Sequence, residues 1–315
     1  MTDDTGPIPL VLVTGFLGSG KTTLLNALLR HPDMAGTAVL MNEIGSVGID
    51  HSLVVGASDD VLLLEGGCLC CQPKGSIGEG VSQLLALQPM PRRIVIETSG
   101  AANPFPILEA LSQHPQATRG FQFPRVVTVI DSVFGGDTLA RHAEARFQLS
   151  AADIVVFGKG DIAKPADMAA VRKQVAEANP AALRQELSGD GWIDDLVERL
   201  HAPVDLRHAC AARPAPHATD PAHDTDFETV GLQFDGRLEA EAVQAWIDEV
   251  LDLYGGNILR IKGILNLEGY SRPAVLQCVR DLVHPIELLD ASTEAAHGNS
   301  IVAIGWDMHP ELMHE

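Results

Sequence analysis

Residues 9–23 read Pro9-Leu-Val-Leu-Val-Thr-Gly-Phe-Leu-Gly-Ser-Gly-Lys-Thr-Thr23, and this stretch decides the fold. Residues 9–14 are an unbroken β-prone apolar run, the pattern of a central parallel strand covered on both faces. Gly15-Phe-Leu-Gly-Ser-Gly-Lys-Thr22 then fits the phosphate-loop pattern G-x-x-x-x-G-K-[ST] at every fixed position. Gly15, Gly18 and Gly20 let the backbone turn so that successive N–H groups point at a phosphate. Lys21 supplies a point charge to the outer phosphates, and the Thr22 hydroxyl can ligate Mg²⁺. Ser19 and Thr23 complete the set expected to touch the nucleotide. From about residue 21, Leu24, Leu25, Leu28 and Leu29 recur at helical spacing, ending near Pro32, and the start of that helix adds a favourable dipole.

Outward from this core the pattern repeats. Strand-like runs fall at 37–42, 61–64, 94–97, 126–130 and 154–157, with helix-length segments such as 76–87, 104–113 and 166–178 between them. Buried strands alternating with helices predict an α/β fold, a doubly wound, mostly parallel sheet of the P-loop type. After about residue 205 the texture changes: 207–226 are rich in Ala, Pro, His and Asp and read as an exposed linker. Beyond it, strands at 227–234 and 258–267 around an amphipathic helix at 238–253, with short strands at 274–279 and 300–305, predict a smaller α+β domain. The expected division is 1–205, linker 206–226, and 227–315.

Three further clusters carry chemistry. Glu97 ends an apolar strand, where a carboxylate reaches the Mg²⁺ shell of a bound nucleotide; a capping role at the strand end is the alternative. Gly158-Lys-Gly-Asp161 follows the strand 154–157, where GTPases carry Asn- or Thr-Lys-x-Asp. The Asp161 carboxylate accepts from guanine N1–H and the exocyclic amine, whereas adenine has no N1 donor and would leave it unpaired. The Lys159 stem can lie along the base. Gly158 departs from the pattern and lacks a side chain that normally braces the loop, so a plain surface turn stays an alternative. Third, Gly66-Gly-Cys68-Leu-Cys70-Cys71 places three thiols in four residues, three corners of a tetrahedron for Zn²⁺ or Co²⁺. Glu43, a His, a water or a partner's ligand could supply the fourth. A structural zinc, a redox thiol set or simple burial are the competing readings. His201, His208, His217 and His223, with Cys210, lie in or beside the linker and read as solvated, with a loose gathering of metal as the alternative, and Cys278 reads as core.

The bulk numbers agree with a reducing, cytoplasmic setting. Lys plus Arg number 22 against 42 Asp plus Glu, a formal net charge of −20, which repels nucleic acid and anionic lipid. Any phosphate must therefore be held by a local device. Five cysteines, three of them within four residues, make a poor disulfide framework. The acidic N-terminus has no basic signal region, and no apolar run approaches the ~20 residues that span a bilayer.

The combined set Thr14–Thr23, Asn42-Glu-Ile-Gly45, Gly67-Cys-Leu-Cys-Cys71, Glu97-Thr-Ser-Gly100 and Val129-Ile-Asp131 resembles the CobW-type metallochaperone GTPases in order and spacing. Asn257–Gly263 and Ser300–Gly305 are similar to that family's C-terminal domain. The resemblance implies a GTPase of low intrinsic activity that binds Zn²⁺ or Co²⁺ and delivers it to a client metalloprotein. It also implies that Cys68, Cys70 and Cys71 bind the metal, that Glu43 lies in the segment joining metal to nucleotide, and that Asp50 lies in the switch region answering the γ-phosphate. Other readings are a metal-regulated switch or buffer, and a P-loop small-molecule kinase with a structural zinc.

Overall fold

The computed structural model describes residues 7–42, 62–66, 76–116, 120–187, 189–202, 227–289 and 298–308. The described chain divides into two compact units, Met1–Arg172 with Leu183–Ala202, and Lys173–Ala182 with Pro203–Glu315.

The first unit is built on seven strands: β1 (Leu10–Thr14), β2 (Thr37–Asn42), β3 (Leu62–Gly66), β4 (Arg93–Glu97), β5 (Arg125–Asp131), β6 (Ile154–Gly158) and β7 (Leu183–Glu186). Their order is β3-β2-β4-β1-β5-β6-β7, and every pairing is parallel. Helices α1 (Lys21–Leu29), α2 (Ser76–Leu85), α3 (Phe105–Ser112), α4 (Gly135–Arg141), α5 (Ala143–Ala151) and α6 (Pro165–Ala178) lie in the crossovers, and α7 (Trp192–His201) follows β7 and packs into the core beside α1. This is the doubly wound α/β arrangement expected of the apolar runs. All five residues of β1, β4 and β6 are buried, because parallel strands covered on both faces can hold only apolar or internally satisfied side chains. One core joins Val11, Val13, Val95, Val127 and Val156 to Leu24, Leu25 and Leu28 of α1, so the helix that follows the glycine loop is seated directly on the sheet.

Two features departed from expectation. β3 runs to Gly66, past the apolar run at 61–64, because Glu65 and Gly66 continue the ladder opposite Met41 and Asn42. β7, of sequence Leu-Arg-Gln-Glu, was not anticipated: it is an edge strand pairing only with β6, and an edge needs no continuous apolar run.

The second unit carries an antiparallel sheet of β8 (Glu228–Phe234), β9 (Ile258–Leu265), β10 (Ala274–Val279), β11 (Leu282–Val283), β12 (Glu287–Leu288) and β13 (Asn299–Gly305). The order is β11-β10-β9-β13-β8, with β12 also on β10. Helix α8 (Ala240–Tyr254) buries Val243, Ile247, Val250 and Tyr254, the four- and three-residue spacing of one helical face, against Val230, Ile261, Leu276 and Ile301. Cys278 sits in this core with 1% exposure; burial, aided by Asp281, pushes its thiol up to about 12. It is an inert packing residue.

Candidate functional site

β1 is flanked by β4 on one side and β5 on the other, so the strand order reverses around it. The carboxyl ends of such strands form the crevice where doubly wound folds bind ligands. The glycine loop leaves β1 at this point. Gly15 has φ 143°, and a Cβ there would stand 2.4 Å from the Val129 carbonyl oxygen; the loop touches β5 too closely for any side chain. Gly20, in the left-handed region at φ 105°, starts α1. Lys21 is buried, and its ammonium donates to the carbonyls of Gly15 at 2.9 Å and Phe16 at 3.4 Å. Its positive charge is thus folded back across the loop. Ser19 is also buried, whereas Thr23 is exposed.

From the neighbouring strand, Glu97 comes to the first turn of α1: the Thr22 hydroxyl donates to Glu97 Oε1 at 3.1 Å. A hydroxyl and a carboxylate held in contact beside a phosphate loop form the oxygen donor set that Mg²⁺ prefers. The segment after Glu97 is tied to the same loop. Thr98 donates through its N–H to the Val13 carbonyl at 2.9 Å and through its hydroxyl to Thr14 Oγ1 at 2.8 Å. A Cβ on Gly100 would lie 2.7 Å from the Leu17 backbone.

At the end of β6, Lys159 adopts φ 58° and its ammonium pairs with Asp131 Oδ2 at 2.7 Å. Asp131 Oδ1 accepts from the N–H groups of Val133 at 2.7 Å and Phe134 at 3.1 Å. Asp131 therefore fixes the lysine stem, a role that sequence pattern alone does not assign. Asp161 is exposed two residues on. Gly158 has a structural reason of its own: a Cβ there would come within 2.9 Å of the Ser19 carbonyl oxygen. The phosphate loop rests on the spot where other GTPases keep a bracing side chain.

The sheet register lines up the rest. Met41 is the Cα partner of both Glu65 and Glu97, Glu97 is that of Val13, and Asn42 is that of Gly66. The chain toward Glu43, the chain toward Cys68, Glu97 and the phosphate loop thus leave the sheet at one edge. Glu43, Asp50, Cys68, Cys70, Cys71, His208, Cys210, His217 and His223 themselves lie outside the described residues.

A phosphate loop on a parallel sheet, with a carboxylate beside its Thr and a Lys-x-Asp turn two strands away, defines a P-loop GTPase. The sequence matches the CobW/HypB/UreG nucleotide-binding domain over residues 9–184 and the cobalamin synthesis protein CobW C-terminal domain over 227–315. The chain belongs to the CobW/HypB/UreG family. Among its relatives, the zinc chaperone YjiA of Escherichia coli is 26% identical over 281 residues, 88% of this chain and 87% of that protein. The zinc chaperone CobW of Sinorhizobium is 28% identical over 307 residues, 87% and 86%. The zinc-regulated GTPase metalloprotein activator 1 of Schizosaccharomyces pombe is 32% identical over 201 residues, 62% and 49%. The crystal structure of Zn(II)-bound YjiA GTPase superposes with a TM-score of 0.65 at 20% identity, over 98% of this chain and 97% of that one, a likeness of fold. No helix among the described residues is long and apolar enough to cross a membrane.

Proposed function

We propose that this GTPase is a metallochaperone that binds Zn²⁺ as cargo through Cys68, Cys70 and Cys71 and passes it to a client metalloprotein in a cycle driven by GTP hydrolysis. Co²⁺ suits the same thiolate set. Support comes from relatives named zinc chaperones, and above all from one observation, the pairing of Asn42 with Gly66. One residue beyond the first is Glu43; two beyond the second is Cys68. The chain leading to the proposed cargo ligands therefore leaves the sheet at the same carboxyl end as the phosphate loop and Glu97.

On this reading the N–H groups of residues 15–22 cradle the phosphates, and Lys21 exchanges the carbonyls of Gly15 and Phe16 for phosphate oxygens. Thr22 and Glu97 would hold Mg²⁺, which when bound neutralises charge on the β- and γ-phosphates. Lys159, steadied by Asp131, lies along the base, and Asp161 accepts from guanine. The segment 42–50, with Asp50 and Glu43, orders on the γ-phosphate and draws the cysteine turn into a tight site; hydrolysis relaxes it and releases the ion. Intrinsic turnover is low, since release waits for the client. Residues 206–226 act as a linker, and 227–315 recognise the client, in a reducing compartment that keeps the thiols free.

Isothermal titration of Zn²⁺ with Mg²⁺ present, with and without a non-hydrolysable GTP analogue, tests the coupling. The analogue should tighten Zn²⁺ binding; identical affinities would reject a nucleotide-gated cargo site.

A further inference from the structure

Helix α5 contains a buried glutamine that the nucleotide chemistry leaves unused. Gln148 is 1% exposed, and its amide donates to two carbonyls of the loop after β4, Gly100 at 3.2 Å and Ala102 at 3.0 Å. Its own backbone carbonyl accepts from the Thr128 hydroxyl of β5 at 2.7 Å. The residue is therefore fixed to the sheet while its side chain grips the loop.

We infer that Gln148 is a positioning residue that holds the Thr98–Ala102 loop, and with it the end of β4 at Glu97, against the phosphate loop before any nucleotide arrives. The loop lies outside the sheet ladder, so its carbonyls must find donors elsewhere. Water would satisfy them and leave the loop free to shift; a buried amide satisfies them in one geometry. An apolar residue would have packed this helix position at lower desolvation cost, so the amide points to a requirement on the loop side. On the opposite side the loop is already joined to the phosphate loop, through Thr22 to Glu97, Thr98 to Thr14 and the packing of Gly100 on Leu17. Gln148 closes the clamp from behind. It sets where Glu97 stands relative to the Thr22 hydroxyl, with which it would hold the Mg²⁺ of a bound nucleotide, an ion that would have the γ-phosphate as well as the β-phosphate to neutralise when GTP rather than GDP is bound. This inference rests on the proposed reading that Thr22 and Glu97 hold the Mg²⁺ of a bound nucleotide.

Two measurements on the full-length protein test it. In nucleotide-free wild type, the Ala102 amide, bonded to the Ser99 carbonyl at 3.1 Å, should exchange slowly with deuterium, and faster in Gln148→Met. Exchange at the unprotected rate in wild type would overturn the inference. Second, the ratio of affinities for a non-hydrolysable GTP analogue and GDP should fall about tenfold in Gln148→Met, the order expected from losing one or two buried hydrogen bonds. The melting temperature should fall by only about 2–4 °C, the shift that ~1 kcal/mol produces in a chain of this size. Glu97→Ala is the reference. If Glu97→Ala lowers the ratio and Gln148→Met does not, the positioning role is refuted and the site reading stands. If neither variant moves it, the site reading itself fails and the inference falls with it. Where Gln148→Met does not fold, the wild-type exchange measurement decides.

Discussion

Gly158 illustrates how a single position is read differently in sequence and in space. In the motif it is a departure that weakens the base-binding turn; in the fold it is the hydrogen-sized gap into which the Ser19 carbonyl fits. Gly158→Ala should therefore weaken GTP and GDP alike by about tenfold, since overpacking against backbone costs about 1–3 kcal/mol. Calorimetric titration of both nucleotides would reveal it, and unchanged affinities would mean that the loop yields easily. Lys21→Ala should depress GTP hydrolysis at least ~100-fold, the order seen when a preorganised charge is removed from a transition state. A phosphate-release assay measures it, with GDP binding falling much less because the backbone N–H groups remain. Lys21 and Glu97 were legible because their chemistry requires fixed residue types at fixed spacing. Asp131 as the brace of Lys159, and Gln148 as the clamp of the loop, were not, because each acts on a partner remote in sequence.

Among the elements, the buried strands of the parallel sheet were readable because full burial leaves an uninterrupted apolar run. Helix α5 and strand β7 were not. The first hides Gln148 and Ser150 in the interior by satisfying them with the backbone, and the second is a polar edge. In the C-terminal sheet, β10 and β11 bring His284 to 3% exposure, its backbone N–H donating to the Gln277 carbonyl at 2.8 Å. Burial holds its imidazole below the ordinary value, offset in part by the Pro285 carbonyl. In the unfolded chain the group titrates near ~6.5, so as pH falls below that point the unfolded state takes the proton first. Its contribution is complete above about pH 6.5 and is lost as pH drops toward the depressed folded value. Urea midpoints of the C-terminal unit should thus decline between pH ~7.5 and ~5.5, and less so in His284→Gln. An equal decline in that variant would assign the effect to other groups.

For the whole molecule the decisive property is linkage. If GTP tightens the cargo site by some factor, cargo must tighten GTP by the same factor. Stripping zinc with a chelator should therefore raise the dissociation constant of the GTP analogue and leave that of GDP nearly unchanged. A dissociation constant for the analogue that does not change on removing zinc would break the proposed cycle. The triple variant Cys68→Ala, Cys70→Ala, Cys71→Ala should lose high-affinity zinc binding while its melting curve keeps the wild-type form; retained affinity would move the cargo site elsewhere.

By itself the amino-acid order determined the α/β class, the phosphate loop, the place of Glu97 at a strand end and the smaller α+β unit. These follow from local constraints: hydrophobic period, glycine conformations, and the residue types a phosphate demands. Only the tertiary structure decided why residue 158 is glycine, what steadies Lys159, and that Gln148 grips the loop behind Glu97. It alone decided that the strands leading to Glu43 and to Cys68 end side by side. Such facts depend on which strands become neighbours and in what register, and register is settled by the packing of the entire sheet rather than by any one segment.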